Sequence, residues 1–180
     1  MRMVFPTLEN KDQAIDFINE LREYGSEIDG SGSLDRMLQT ATYEDWIRKV
    51  IDDVDVANIL PGRVPALTYF YVREEDNRIV GMTNIRLRLN DFLRTQGGHI
   101  GYCIRPTERR KGYATSMLGE ALRVCGIMGI DKVIVTCDTV NTASAKTILN
   151  NGGVLDAEFY SDAFETEIQR YIIDNSEKVL

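Results

Sequence analysis

The chain has 180 residues, of which 43% are hydrophobic, and this is typical of one globular domain with a substantial core. Its net charge of −7 argues against nucleic-acid binding, because proteins of that class present a basic surface to the phosphates. The negative charge lies in residues 1–60, which contain 13 acidic and 6 basic side chains, whereas residues 61–180 contain 15 of each. Such a segment either attracts a cationic partner or is simply a solvated acidic face.

The sequence carries no signal for export or for membrane insertion. Residues 1–6 lack a long apolar stretch, and no window approaches the roughly 20 apolar residues that span a membrane. The three cysteines, Cys103, Cys125 and Cys137, lack the spacing of a metal site, and each lies in an apolar pattern. We therefore expect buried free thiols, no bound metal, no membrane association and a cytoplasmic location.

The first 60 residues predict one short strand and two helices. The strand is expected near Met3–Phe5, and an apolar stripe predicts a helix over about Asn10–Tyr24 with its first residue as the N-cap. A second helix is predicted over about Tyr43–Val54, with Thr42 as its cap. Between the helices, the Gly- and Ser-rich segment 25–33 is predicted to be a flexible loop.

The middle of the chain predicts a hairpin and then a third strand. Apolar runs predict strands over Ala66–Val72 and Ile79–Leu89, joined by a charged turn. The polar loop 90–98 then leads to a strand over His99–Arg105. Pro106 ends this strand because proline has no N–H group to donate.

The last third of the chain predicts a helix, a strand, a further helix and a closing hairpin. The first helix begins near Gly112 and is closed by Gly129, and the strand Val133–Cys137 that follows is rich in β-branched residues, as buried parallel strands are. The remaining elements are a helix over Thr142–Asn151 and strands over Val154–Tyr160 and Glu165–Ile173. Together the elements predict one α/β domain with a mixed, largely antiparallel sheet of six or seven strands and helices on both faces.

The loop that precedes Gly112 has the pattern of an anion site. N–H groups in the first turn of a helix have no partner within the helix, and the helix dipole adds positive potential there. Gly112 has no Cβ, so an anion can approach the backbone closely. The loop has four cationic side chains, Arg105, Arg109, Arg110 and Lys111, against one carboxylate, Glu108. A solvated basic turn would explain this charge equally well.

The type of anion site can be narrowed further. The sequence contains neither the P-loop pattern of nucleotide triphosphatases nor the Gly-x-Gly-x-x-Gly pattern of dinucleotide-binding folds. Instead, Arg109-x-x-Gly112-x-Ala114 resembles the pyrophosphate-binding loop, Gln/Arg-x-x-Gly-x-Gly/Ala, of the GCN5-related N-acetyltransferase (GNAT) superfamily. The segment Tyr102–Pro106 is similar to the central strand of that family and its exit proline.

The family order continues with Asn141-x-x-Ser144, so the resemblance covers about residues 98–153 within a single domain, 1–180. It implies an N-acetyltransferase that moves an acetyl group from acetyl-coenzyme A to a primary amine, with both substrates bound at once. The amine would belong to a small molecule or a peptide, and the resemblance also allows a homodimer.

The resemblance further implies which residues hold the coenzyme. Backbone N–H groups in residues 110–115 would bind the pyrophosphate, and the pantetheine arm would pair with the strand around Ile104. Asn141 would contact this arm, although capping of the helix that follows explains it equally well. The residues expected at the coenzyme are Ile104, Arg105, Arg109, Arg110, Lys111, Gly112, Tyr113, Ala114, Thr115 and Asn141.

The catalytic groups depart from the family pattern. Many members carry a tyrosine seven residues after the asparagine as general acid, but this position is Ile148 here. Ser144 is a substitute, although a thiolate with a pKa of about 8.5 can leave without an acid. His99 lies where some members carry a glutamate base, and imidazole suits proton transfer near neutral pH. The alternatives are a structural role for His99, or Tyr102, Glu158, Glu165 or a water chain as the base.

Two interpretations stay open at this point. Since the tyrosine is missing, a non-catalytic acyl-coenzyme A sensor or binding module of the same fold is the alternative to an enzyme. Segment 25–33 borders the acceptor site in the resembled family, and it is either a cover for that site or a plain linker.

Overall fold

Seven strands in two antiparallel sheets form the centre of the computed structural model, which describes residues 1–176. The strands are β1 (Arg2–Val4), β2 (Ala66–Arg73), β3 (Arg78–Arg86), β4 (Ile100–Ile104), β5 (Lys132–Asp138), β6 (Gly153–Ser161) and β7 (Thr166–Asp174). The helices are α1 (Lys11–Glu23), α2 (Leu34–Met37), α3 (Tyr43–Asp52), α4 (Tyr113–Ile127) and α5 (Thr142–Asn150). The predicted α/β class is confirmed, and the predicted elements lie where the sequence indicated them.

The strands divide between a four-stranded sheet, in the order β1-β2-β3-β4, and a three-stranded sheet, in the order β5-β7-β6. The two sheets meet where the N–H of His99 donates to the carbonyl of Ile134, at 2.7 Å. The strand Val133–Cys137 was predicted as a parallel strand, but within residues 1–176 it pairs only with β7, antiparallel and over its whole length from Lys132 to Asp138, and forms no ladder with β4. One edge of β4 therefore stays open.

Of the two N-caps predicted for the first helices, one is present and one is not. Thr42 caps α3 as predicted, since its hydroxyl accepts the N–H of Asp45 at 3.1 Å. Asn10 precedes α1, but its side-chain oxygen accepts the N–H of Thr7 at 3.0 Å and so closes the preceding turn, Leu8–Asn10. The short helix α2 was missed because four residues are too few to show a periodic apolar pattern.

Helices cover both faces of the four-stranded sheet. One core cluster joins α1 and α3 to β2 and β3 through residues such as Phe17, Trp46 and Met82. A second cluster joins α4 and α5 to both sheets through residues such as Leu118 and Ile85. Met82 and Ile85 are three residues apart on β3, so they point to opposite faces and serve the two clusters.

The three cysteines are free thiols in this fold. Cys103 and Cys125 are buried and Cys137 is half-buried. Burial raises the pKa of Cys125 to about 12 and that of Cys137 to about 11. Thiols of this kind stay protonated at neutral pH, so they are poor nucleophiles.

Arg105 is a core residue rather than a surface cation. It is 1% exposed, and its guanidinium donates to Asp16 at 2.8 Å and to Glu20 at 2.6 Å, both on α1. Its Nε donates to the carbonyl of Ile79, and the group lies over the ring of Phe17. The prediction that Arg105 contacts an anionic ligand therefore does not fit the structure, because its donors are used to fasten α1 to the sheet.

Replacing Arg105 with Ala should lower the free energy of unfolding by about 3 kcal/mol, because Glu20 loses a buried partner. The loss stays near the low end of the range for broken buried pairs, since Arg78 also lies 3.5 Å from Glu20. Denaturant unfolding measures the change. Arg123→Ala is the matched control, since it removes an exposed ion pair with Glu120 and should change stability by less than about 0.5 kcal/mol. Equal effects of the two variants would contradict this role of Arg105.

Candidate functional site

A cleft of about 1770 Å³ opens where β4 and β5 diverge. Its floor is β4, and one wall is formed by the end of β5 and the start of α5. Residues 24–33, called the wall segment below, form another wall, and the loop that leads into α4 lies at one end of the cleft. Two aromatic rings, Phe92 and Phe164, contact each other at a centroid distance of 5.8 Å beside the cleft.

The start of α4 has the backbone geometry of an anion site. Gly112 has a φ of 82° and Arg110 a φ of 62°, so the chain turns through the left-handed region just before the helix. The hydrogen bonds of the helix begin at Ser116, whose backbone N–H donates to the carbonyl of Gly112. The N–H groups of residues 113–115 come before it, and these residues line the cleft. Donors and helix dipole thus act on the same end of the cleft.

The cationic side chains of this loop have separate environments. Arg109 donates to the carbonyl of Ile104 at 3.2 Å and to the hydroxyl of Ser26 at 2.9 Å, so it joins the loop to the wall segment. Lys111 donates to Glu108 at 2.7 Å and does not line the cleft. Arg110 is exposed and lines the cleft. Of the basic residues predicted at the coenzyme, Arg109 and Arg110 are therefore at the cleft, whereas Arg105 is in the core.

Three predicted residues meet at the start of α5. The side-chain oxygen of Asn141 accepts the N–H of Ser144 at 3.0 Å, so the predicted cap is present, and both side chains border the cleft. The hydroxyl of Ser144 lies 2.8 Å from that of Tyr102, which reaches it from β4. Ile148, at the family position for a tyrosine, is fully buried in the core.

His99 lies at the point where the two sheets meet. The ring Nδ1 of His99 accepts a hydrogen bond from the backbone N–H of Ile134 at 2.9 Å, and the backbone N–H of His99 donates to the carbonyl of Ile134. Burial, together with the charges of Arg86 and Arg94, lowers its pKa to about 4. A neutral imidazole whose Nδ1 lone pair is engaged carries its proton on Nε2. This contact favours the structural role of His99 over the predicted base.

The wall segment supplies acidic groups that the sequence analysis did not single out. Glu27, Asp29 and Asp138 line the cleft, and they are called the acidic cluster below. Burial raises the pKa of Asp29 despite the opposing charge of Arg86, and Asp138 raises it further. Burial likewise raises the pKa of Glu27, with contributions from Asp138 and Asp29. The excess of acidic residues in positions 1–60 was the available signal, since two of the three cluster members belong to it.

The wall segment rests directly on β4. Gly30 has a φ of 70°, and a Cβ at this position would lie 2.4 Å from the carbonyl oxygen of Gly101. Only a glycine allows this approach, because a side chain would have to displace strand backbone. Glu158 and Glu165, the other predicted bases, belong to the β6–β7 hairpin and do not line the cleft.

Comparison with protein families shows the family to which this chain belongs. A family model described as "Acetyltransferase (GNAT) domain" matches residues 3–154. The chain belongs to the GNAT acetyltransferase family. The predicted resemblance is therefore confirmed, and the matched range includes most of the cleft lining, the acidic cluster and the start of α4. Comparison of the sequence with curated proteins gives no match.

Solved structures of acetyltransferases share the fold of this chain. A ribosomal-protein-S5-alanine acetyltransferase from Vibrio fischeri has a TM-score of 0.70 and 15% identity, over 97% of this chain and 93% of that one. The microcin C7 self-immunity acetyltransferase MccE, in complex with acetyl-CoA and AMP, has a TM-score of 0.68 and 16% identity, over 96% and 91%. A chimera of the spermidine N-acetyltransferase SpeG from Vibrio cholerae and hSSAT has a TM-score of 0.65 and 13% identity, over the full length of both chains.

No helix in residues 1–176 is long and apolar enough to cross a membrane. Within the same range, no group of three or more His, Cys, Asp or Glu side chains is placed to hold a metal ion.

Replacing Gly112 with Val should lower coenzyme A affinity at least tenfold, because a β-branched residue strains a φ of 82° and its side chain obstructs the first-turn N–H groups. The Cβ itself would meet no protein atom within 4 Å, so the thermal transition should fall only slightly. Calorimetric titration with coenzyme A measures the affinity. Gly112→Asn is the matched control, since asparagine tolerates the left-handed region and should lose less affinity. Unchanged affinity of the Val variant would contradict the proposed pyrophosphate loop.

Replacing His99 with Gln should leave most of the turnover at saturating amine and high pH, because the lone pair of Nδ1 is already engaged. The replacement should also change the pH dependence of stability. With a pKa of about 4 in the folded chain and an ordinary value of 6.5, His99 favours the folded state above pH 6.5. This contribution is lost as the pH falls from 6.5 to about 4. Unfolding free energies of the Gln variant should therefore vary less over that window.

A loss of turnover of about a hundredfold in His99→Gln under those conditions would instead assign the base to this residue.

Proposed function

We propose that this GNAT acetyltransferase transfers an acetyl group from acetyl-coenzyme A to a primary amine of a cationic acceptor, by direct reaction of the two bound substrates. The observation that carries the proposal is the cleft itself, which has unpartnered helix N–H groups at one end and the carboxylates of the acidic cluster on two of its walls. A pyrophosphate and an ammonium group thus each find a complementary charge within the same cleft.

The donor side is supported by the loop before α4 and by the open edge of β4. Free N–H and C=O groups along an unpaired edge can bind an extended ligand as a further strand would. The pantetheine arm has amides of the required kind, and its path along residues 100–104 would end beside Tyr102 and Ser144. Asn141 keeps an amide N–H₂ group for the arm while its oxygen caps α5. Acetyl-CoA is also bound in the MccE structure, which shares this fold.

The acceptor side is supported by the acidic cluster. Several carboxylates in one cleft repel each other and are stabilised by a cation that lies between them. The aromatic pair Phe92 and Phe164 adds apolar surface beside the same cleft. An extended cationic amine combines the two properties, and one of the neighbours is a spermidine N-acetyltransferase.

The reaction needs the amine in its uncharged form. Its nitrogen lone pair attacks the carbonyl carbon of the thioester, and the C–S bond breaks as the electron pair moves to sulfur. The nitrogen loses one proton to water in the cleft or to a carboxylate of the acidic cluster. A carboxylate whose pKa is raised, as that of Asp29 is, accepts a proton more readily than an ordinary one. The products are the N-acetyl amine and coenzyme A.

Release of free thiol tests the proposal directly. The purified protein is incubated with acetyl-coenzyme A and one of three amines: spermidine, a peptide with an N-terminal alanine, or 2-phenylethylamine. We expect amine-dependent thiol release, with the highest kcat/KM for spermidine. Tight coenzyme A binding without thiol release for any amine would favour the non-catalytic sensor instead. No coenzyme A binding at all would overturn both.

Replacing Asp29 with Asn should raise the KM for spermidine about tenfold or more, because one charge-assisted contact worth roughly 1.5–3 kcal/mol is lost. The KM for 2-phenylethylamine, which has a single charge, should rise less. Steady-state kinetics with both amines gives the comparison. Asp91→Asn is the control, since Asp91 is exposed and does not line the cleft. An unchanged KM for spermidine in the Asp29 variant would remove the acidic cluster from acceptor binding.

A further inference from the structure

Two hydroxyl groups meet across the cleft near the end of the proposed pantetheine path. The hydroxyl of Tyr102, on β4, lies 2.8 Å from that of Ser144, in the first turn of α5, and either oxygen can be the donor of this hydrogen bond; when Ser144 donates, the phenol O–H is left for a ligand. Both residues line the cleft together with Cys137 and Thr147. The contact joins the strand on one side of the divergence to the helix on the other.

The two hydroxyls lie near the part of α5 where the family pattern has a tyrosine and this chain does not. The α5 position at which family members carry a tyrosine is filled by Ile148, which is fully buried. Ser144 lies one turn before Ile148, on the same side of the helix. A phenol from β4 therefore reaches the region that the absent α5 tyrosine would occupy.

We propose that Tyr102 is a catalytic residue that donates a hydrogen bond to the thioester sulfur as the C–S bond breaks, with Ser144 as the positioning residue that fixes its hydroxyl. The inference rests on the proposed acetyl transfer. The electron pair of the broken bond stays on sulfur, and the negative charge that develops there is met by the phenol O–H. Coenzyme A leaves as the thiolate and takes its proton from solvent.

Relative acidities decide between a hydrogen bond and a full proton transfer. Burial raises the pKa of Tyr102 to about 12, although the hydrogen bond with Ser144 opposes this shift. The thiol of the leaving group has a pKa of about 8.5, so its thiolate cannot remove the proton from such a phenol. Tyr102 therefore stays protonated throughout the neutral range and acts as a fixed donor. A donor aimed at developing charge in a sheltered site is effective without moving its proton.

Replacing Tyr102 with Phe should lower kcat about a hundredfold, because one donor to the transition state is lost, while the KM for acetyl-coenzyme A changes by less than about twofold. Ser144→Ala should cost about tenfold, and the double variant should be no slower than Tyr102→Phe, because the two hydroxyls act as a unit. The molecule supplies a matched control in Tyr71→Phe, since the hydroxyl of Tyr71 lies 2.7 Å from that of Ser116 and neither residue lines the cleft. This control should keep the wild-type rate.

A second readout does not depend on turnover. Titration of the thiolate absorbance of bound coenzyme A gives the pKa of its thiol in each complex. In the wild type this pKa should be lower than in Tyr102→Phe, because a hydrogen bond to the thiolate stabilises the charged form. A purely structural tyrosine would leave the value unchanged in the two complexes.

The outcomes separate this inference from the proposed function. If the wild type shows amine-dependent thiol release but Tyr102→Phe retains more than half of kcat, the role of Tyr102 is overturned and the acetyl transfer stands. An equal thiol pKa in the two complexes overturns it as well. If the wild type binds coenzyme A without turnover, the proposed function fails, and a lower thiol pKa in the wild-type complex still supports the contact of Tyr102 with sulfur.

Discussion

The divergence of β4 from β5 is the feature on which the rest of this structure depends. One backbone hydrogen bond, from His99 just before β4 to Ile134 of β5, joins the two strands, and no ladder between them follows it in residues 1–176. An unpaired strand edge inside a protein is costly, because its N–H and C=O groups have lost water without gaining partners. An extended ligand with amide groups compensates for that cost. The open edge of β4 is thus the feature on which the proposed binding of an extended ligand depends.

The N-terminus of α4, the acidic cluster and the hydroxyls of Tyr102 and Ser144 all line the cleft that opens at this divergence. The links between them are short and specific. Arg109 ties the loop before α4 to the wall segment through Ser26, and Tyr102 ties β4 to α5 through Ser144. The proposed donor and acceptor surfaces are therefore joined in one framework by these side-chain hydrogen bonds.

Local patterns in the sequence predicted the elements and the family well, because caps, periodicity and the loop before Gly112 depend on neighbouring residues. Tertiary contacts explain what was missed. Arg105 has the same charge as Arg109, yet it pairs with Glu20, which is 85 residues away in the chain. No local signal distinguishes two such arginines. Asp29 was likewise hidden in a loop whose composition indicates only flexibility, and its importance follows from its place over β4.

The contact of Gly30 with Gly101 has an evolutionary consequence. The wall segment is anchored where its own backbone touches the strand, so the stretch before Gly30 can change in length or charge without shifting that anchor. Substitutions at residues 27 and 28 would alter what the wall presents to an incoming molecule, while the contact with Gly101 and the hydrogen bond from Arg109 to Ser26 stayed in place. Under the proposed function, acceptor preference can therefore diversify within one scaffold while the donor stays the same.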